Sequence, residues 1–600
     1  MVLQGVNFPL TFVGQEYIWQ EVWRHFNLTQ AEIDHFVTAP PFLAWQRMGN
    51  IKTWSGPLSQ RWVQQQKVLQ QKIVKRMVEF GMIPVLPGFS GHVPDAFIKY
   101  YPDAKVYKSS QWNKFGLNYS ENLFLDPEES LFKEIGHKLL EKLNDTYGIY
   151  HAYLADPFNE MKPKSLDPTY LQSVSKNIYK ALTSYDPDAI WVMQGWMFID
   201  DYWSKFRAKA ILTAPPIGRM IILDLSSDTE PVYNRLNSFF GQPFIWNMLH
   251  NFGGKLGLQG RQNSVNKGIT KGVTYHSMVG TGITMEGIYQ NYPIYQFMLD
   301  RSWSDLELNS NSWIWNLSTE RYGQENRAVG KAWQKLWNSV YTNGHEEVEN
   351  KILKSRRQVS LKRIIFKTPK LYFSGENLWY DPSILCNAWA SFVDASSNFT
   401  DKYFFTQDLV DITREVLVLI ATSYYKQLNA SYFEKNLTRL NKTGSKLLVV
   451  FDDLDEILAS HEHFLLGKWI QDARRQGTSL QESKHFEYTF RNQITLWGPQ
   501  GNIKDYARKQ WAGLIKPYYK PRWEVFTQFL TKSLKEQKNF NQKQFDKFIF
   551  VHIEKPFTYI KGTEPSLPVG DSAQISGKLL KKYYSTCLKL DRSFAQVNNS

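Results

Sequence analysis

Residues 148–160 read GIYHAYLADPFNE, and this stretch decides the fold. The apolar run 148–154 has strand character and gives way at once to Asp156, Asn159 and Glu160. Helix-spaced segments flank it at 129–147 and 168–184. A strand between two helices is the repeating unit of a parallel sheet with right-handed crossovers. Working outward, Val6–Phe12 reads as a short strand closed by Gly14, and residues 59–80 read as a helix stopped by Gly81. MIPVLPG (82–88), AIWVMQ (189–194), RMIILDL (219–225), PFIWNML (243–249) and YHSMVGT (275–281) read as further strands. That makes seven, where a closed (β/α)8 barrel takes eight. The expected architecture is α/β: a (β/α)8 TIM-type barrel over residues 1–300, lacking its first βα unit. An all-α domain over 301–600 follows, with helices expected at 322–342, 407–431, 446–475, 505–535 and 541–553.

Composition bounds the function. Aromatics make up 15% of the 600 residues, 21 of them Trp, which excludes disorder as the general state. No apolar run approaches the roughly 20 residues of a membrane-spanning helix, so no membrane span is expected. Lys plus Arg exceeds Asp plus Glu by 71 − 57 = +14. The excess is spread along the chain without an arginine-rich tail or zinc-finger spacing, which disfavours nucleic acid and leaves an acidic polysaccharide as partner. Two cysteines, Cys386 and Cys587, exclude a disulfide framework and a cysteine metal site, and their spacing does not say whether they pair. Nine Asn-x-Ser/Thr triplets, at Asn27, Asn118, Asn144, Asn316, Asn398, Asn429, Asn436, Asn441 and Asn598, lean towards a secretory-pathway glycoprotein. The opening MVLQGVNFPLTF has no signal-peptide pattern. Oligomeric state is unreadable; a homo-oligomer is compatible with the sequence.

In such a barrel the C-terminal ends of the strands face the active-site mouth. Glu160 follows one strand and Glu286, in GTGITMEGI, follows another. Two carboxylates so placed are what glycoside cleavage uses, one protonating the leaving oxygen and the other attacking the anomeric carbon or activating water. Taken alone, a Glu after a strand is more often a cap or loop residue. Asn159 can bond a substituent beside the anomeric centre, and Gly280, Gly282 and Gly287 permit a close, bent backbone. Trp45, Trp112, Trp196 and Trp246 fall near strand ends, where indoles stack on sugar faces, although each singly is more often core. His250 divides evenly between a structural histidine and a pocket donor. Asp224 and Asp228 read as cap and orienting residues, and Asp452, Asp453, Asp455 and Glu456 as a solvated helix face. No zinc-protease helix, phosphate loop or dinucleotide fingerprint is present, so no metal and no cofactor are expected.

The segments FLAWQRMGN (42–50), GMIPVLPGFSGHVP (81–94), DPFNEMKP (156–163), QGWMF (194–198), FGQPFIWNMLHNFGG (240–254), MVGTGITMEGI (278–288) and LWGPQGNIKDYA (496–507) resemble the lysosomal α-N-acetylglucosaminidases of glycoside hydrolase family 89. The resemblance implies removal of terminal, non-reducing α-linked N-acetylglucosamine from heparan sulfate in the lysosome, with retention. It assigns Glu160 as general acid/base and Glu286 as nucleophile. It places Asn159, Trp45, Met48, Trp112, Trp196 and His250 around the sugar, with Trp497, Ile503 and Tyr506 on a loop from the helical domain. It also implies a signal peptide, a small domain and the first βα unit upstream of the position matching Met1, so the chain is expected to begin inside the barrel. Met285 stands where Pro is expected before the nucleophile, and two cysteines leave most disulfides of the family unformed. The alternative is a catalytically inactive glycan-binding relative that lacks its N-terminal unit.

Overall fold

The computed structural model describes residues 1–287, 290–342, 364–371, 378–399, 402–560, 562 and 564–590. Nine strands precede residue 284: β1 (Leu86–Pro87), β2 (His92–Val93), β3 (Val106–Lys108), β4 (Leu123–Leu125), β5 (Ala152–Leu154), β6 (Ile190–Gln194), β7 (Met220–Asp224), β8 (Phe244–Met248) and β9 (Met278–Ile283). Six form one parallel sheet in the order β1-β5-β6-β7-β8-β9, and β2-β4-β3 make a small antiparallel sheet beside it. A seventh parallel chain lies outside β1. There Leu10 bridges Val85, Thr11 N donates to Val85 O at 2.9 Å, and Val85 N donates to Pro9 O at 3.0 Å. These seven correspond one for one to the seven strands read from the sequence.

Helices cover the outer face of the parallel sheet, packing on Tyr153, Trp191, Met193, Ile222 and Phe244. Helix Ser130–Tyr147 buries Phe132, Ile135, Leu139, Leu140 and Leu143, and ends at Gly148. Asp167 caps helix Pro168–Thr183 through the amides of Thr169 and Tyr170. Val85, Ala152, Val192 and Leu223 fill the lumen, with Leu154 and Ile245 packed against them. Among the described residues β9 is paired on one side only, with Val279 57% exposed on its edge.

From residue 292 onward the described regular elements are helices, among them Tyr403–Phe433 and Leu437–Ala459. Three expected helices are corrected. The 322–342 segment is interrupted at Gly323, which takes a left-handed conformation, and restarts at Arg327 under an Asn326 cap. The 446–475 segment breaks at His461–Leu465, because Leu465 instead bridges Ala512 in a parallel pair. The 505–535 segment becomes helical only after residue 514, its first part being spent on a loop against the barrel. The acidic cluster is corrected in part: Asp453 is buried and pairs with Lys582 at 2.6 Å, while Asp452 and Glu456 stay partly exposed, Asp452 pairing with Lys520 at 2.7 Å, so the face keeps an edge in water and cross-links three helices. Cys386 and Cys587 form a buried disulfide, joining helices Pro382–Asp394 and Ser572–Leu588. Asn429 is fully buried and donates to Leu371 O at 2.9 Å, so it is no glycan acceptor in the folded chain. Asn598 lies outside the described residues.

At the end of β7, Asp224 accepts from the amides of Val232 and Tyr233 at 3.3 and 3.2 Å and so starts the next helix, as the sequence suggests. Burial pushes its carboxyl up to about 7 against those donors. An unfolded Asp titrates near ~3.9, so from there to about 7 the folded state holds a proton the unfolded chain has lost. This group therefore favours the fold at acid pH, and its contribution is lost as pH rises through about 7. The buried His92, driven down to about 4, acts in the opposite sense below the unfolded histidine value. Asp224→Asn is expected to retain less of the wild-type gain in Tm between about pH 7.5 and 5.5, and parallel melting profiles would refute the assignment.

Candidate active site

After β5 the chain turns sharply, and Glu160 sits in the left-handed region at φ 53°. That conformation costs a non-glycine residue about 1–2 kcal/mol and has to be held. Asn50 holds it. Its Nδ2 donates to Asn159 O at 2.9 Å, and its Oδ1 accepts from Asn159 Nδ2 at 3.3 Å. Asp156 ties the neighbouring strand ends together, its amide donating to Ser90 Oγ at 3.0 Å and its Oδ1 accepting from Gln194 N at 2.8 Å. Burial pushes the Asp156 carboxyl up to about 7. The turn aims Glu160 at two indoles, Oε2 accepting from Trp112 Nε1 at 2.7 Å and Oε1 from Trp196 Nε1 at 3.0 Å.

Glu286 follows β9 across the same cleft. Its Oε2 accepts from the Gly253 amide at 2.6 Å and from the Tyr506 hydroxyl at 2.5 Å. The side chain is open to the cleft on one side, yet protein encloses it on the others. That enclosure raises its carboxyl above the usual carboxylate value, and Glu160 adds to the rise. The Tyr506 hydroxyl, the Gly253 amide and the Lys255 charge pull it back. Tyr506 is itself held far above the ordinary phenol value, by burial first and Glu286 next, so it remains a donor.

One cavity of about 1720 Å³ runs over both carboxylates. Trp45, Met48, Trp112, Asn159, Trp196, Trp497, Ile503 and Tyr506 all line it, together with Glu160 and Glu286. The aromatic wall is a cluster of its own, apart from the main core: Trp45 meets Trp497 edge to face at 4.5 Å, and Trp112 lies 5.7 Å from the same ring. Trp497, Ile503 and Tyr506 reach it from the helical half. Trp497 N donates to Asn492 O at 2.7 Å, Asn502 Nδ2 donates to Lys114 O at 3.0 Å, and Gln493 Nε2 donates to Pro41 O at 2.8 Å. Gly498 lets the turn close, since a Cβ there would stand 2.5 Å from Asn502 Oδ1 and 2.8 Å from the Phe115 ring.

Two sequence candidates fall elsewhere. Trp246 is fully buried on the helix side of β8, where a Cβ on Gly268 would meet its ring at 2.9 Å. Side chains alternate along a strand, so Ile245 and Asn247 face the cavity while Trp246 faces away. His250 is 2% exposed behind the cavity wall, its Nε2 bonded to Asn291 Nδ2 at 2.7 Å, which makes it the structural histidine of the two readings. The sequence reading missed the Gly253 amide and Lys509, whose partners are distant in the chain and carry no motif. No cluster able to hold a metal ion occurs among the described residues.

Comparison with known proteins places this geometry. Residues 1–305 match the model of the alpha-N-acetylglucosaminidase (NAGLU) tim-barrel domain, and residues 313–582 that of the C-terminal domain. Human alpha-N-acetylglucosaminidase is 40% identical over 590 residues, spanning 97% of this chain and 78% of that protein. A family 89 glycoside hydrolase from Clostridium perfringens, solved with PUGNAc, superposes with a TM-score of 0.87 at 26% identity, over 97% of this chain and 66% of that one. A form of the same bacterial enzyme with two glutamates changed to glutamine, solved with its substrate GlcNAc-α-1,4-galactose, also gives a TM-score of 0.87 at 26% identity, over 98% and 66%. The chain thus spans just under two thirds of the bacterial one. With both family domains matched in order and the human relative aligned along almost the whole length, this chain belongs to the alpha-N-acetylglucosaminidase family.

Proposed function

We propose that the protein is a retaining exo-glycoside hydrolase that removes terminal non-reducing α-linked N-acetylglucosamine from heparan sulfate. The observation that carries this reading is the pair Glu160 and Glu286, facing one cavity from the ends of β5 and β9 with different partners. Glu286 Oε2 is engaged by two donors, while Oε1 has no hydrogen bond among the described residues and is the oxygen available for attack. Oε1 forms a bond to the anomeric carbon as the bond to the leaving oxygen breaks, and Glu160 gives that oxygen its proton. Glu160, now a carboxylate between two indole N–H groups, takes a proton from water. The resulting hydroxide attacks the same carbon and frees Glu286 with configuration retained. No step calls on a metal or cofactor.

The partly exposed Trp45, braced on the buried Trp112 and Trp497, suits the C–H face of a sugar ring, and a net charge of +14 suits a sulfated polymer. A buried disulfide fits an oxidising lumen, and Asn436 and Asn441 are exposed acceptors, in keeping with a lysosomal glycoprotein.

The test is release of methylumbelliferone from its α-N-acetylglucosaminide at acid pH, with proton NMR of the first sugar product. Turnover with α-product first is expected. No turnover from a sample that melts cooperatively would replace this reading with a glycan-binding one, and β-product first would overturn retention.

A further inference from the structure

Lys509 is a lysine in an expensive place. It comes from the helical half, is 7% exposed, and among the described residues forms no ion pair. Its Nζ donates to Gly254 O at 2.6 Å and lies 5.4 Å from the Trp511 ring centre. A buried ammonium without a carboxylate against it is costly unless its charge and donors serve a neighbour. The neighbour here is the turn that feeds Glu286. Gly253 and Gly254 both take left-handed φ values, 65° and 61°. A Cβ on Gly254 would stand 2.6 Å from Lys509 Nζ and 2.9 Å from Gly287 Cα, and one on Gly287 would stand 3.2 Å from that Nζ. The ammonium is thus wedged between the turn that donates the Gly253 amide and the residue after Glu286. Gln510 Nε2 continues the clamp, donating to Leu256 O at 3.1 Å.

Resting on the function proposed above, we propose that Lys509 is a positioning residue for the nucleophile: its ammonium fixes the Gly253–Gly254 turn whose amide holds Glu286. Its charge adds to that of Lys255 in favouring the carboxylate. Burial lowers Lys509 to about 8, with Glu286 opposing, so it is cationic at acid pH. The other titratable groups that face Glu286 are Glu160, Lys255, Tyr506 and Tyr295. All are present in wild type and variant alike, so a shift on changing Lys509 reports Lys509.

The experiment compares Lys509→Met, Lys509→Gln and Lys509→Arg with wild type in kcat, KM and the pH dependence of kcat/KM. In Lys509→Met, kcat is expected to fall about 10–100-fold while KM moves less than about threefold, with the acid limb displaced to higher pH. Lys509→Gln keeps a donor without the charge, and its acid limb moves in the same direction. Lys509→Arg keeps the charge, so its acid limb stays with wild type even where kcat drops. Acid limbs coincident across all four proteins would overturn the proposal, whatever the loss of rate. Should Lys509→Met fail to melt cooperatively, the Gln and Arg pair carries the comparison. Wild type without turnover would sink the function reading instead. The inference would then rest on a crystal structure of Lys509→Met or Lys509→Gln, in which the Gly253 amide is expected to leave Glu286 and an intact contact overturns it.

Discussion

Replacing Glu286 with Ala is expected to lower kcat on an α-N-acetylglucosaminide by about four orders of magnitude or more, the scale seen when a covalent nucleophile is lost. The fold should survive, because the carboxylate faces the cleft and its partners, the Gly253 amide and the Tyr506 hydroxyl, gain access to water. Azide separates the two carboxylates by product. In Glu286→Ala, azide enters the space left by the missing carboxylate and attacks the anomeric carbon from that face, while the aglycone leaves with the Glu160 proton. The product is the β-azide. In Glu160→Ala the first displacement still forms the Glu286 ester when the aryl leaving group needs no proton, and azide then attacks that ester to give the α-azide. Glu160→Ala should lose far more activity on a sugar leaving group than on an activated aryl one. Exchanged anomers would reverse the assignment, and the same azide anomer from both variants, or full activity of either on the natural linkage, would overturn it. In wild type, the raised Glu286 carboxyl puts the acid limb of kcat/KM above the ordinary carboxylate value of ~4.3. The rate climbs with pH as Glu286 loses its proton.

Both carboxylates were legible in the sequence because each stands a few residues past an apolar strand, where barrel geometry turns local position into a statement about the mouth. The seven parallel chains were legible for a related reason. Buried strands of a parallel sheet are nearly continuous apolar runs, and helices of 3.6 period separate them. What failed to show was parity and distance. Trp246 and its neighbours Ile245 and Asn247 are one residue apart, yet opposite faces of β8 send the first to the core and the others to the cavity. A one-residue difference is finer than the strand boundaries that can be read from composition. The helical half was read by periodicity alone, which sees no reason to stop at His461 or to delay helix after Asp505; the reasons are a bridge to Ala512 and a loop packed on the barrel. Lys509 and Gly254 meet across 255 residues. Nothing local to either announces the other.

The loop that carries Trp497, Ile503 and Tyr506 depends on one buried arginine, and Arg522→Met is expected to be the most destabilising substitution outside the hydrophobic core. Arg522 is fully buried, with Nη1 2.9 and 3.0 Å from the two oxygens of Asp505 and 3.0 Å from Glu554 Oε1. Tyr518 donates to Asp505 at 3.2 Å, and Lys504 closes the network on Glu554 at 2.9 Å. Asp505 is the pivot of the loop: it sits at φ 58° between Ile503 and Tyr506, and its amide donates to Thr495 O at 2.8 Å. Without the guanidinium, two buried carboxylates face each other with a phenol and a single lysine between them. Breaking a buried pair from one side costs about 3–5 kcal/mol, because the remaining charge keeps its desolvation penalty and loses its partner. The loss should fall on the loop first, since Asp505 can escape to water only by swinging Tyr506 away from Glu286 and Trp497 away from Trp45. Arg522→Met is therefore expected to lower Tm and to cut kcat/KM by about tenfold or more in the fraction that remains folded. Arg522→Lys, which keeps the charge on a shorter side chain whose ammonium has to extend to the place of Nη1, should fall between Met and wild type on both measures. The double variant Arg522→Met with Asp505→Asn removes one stranded charge and should recover part of the Tm without recovering the rate, because the anchor of the loop is still gone. A Met variant that melts with wild type and keeps its kcat/KM would show that the pocket loop is held by its aromatic contacts alone.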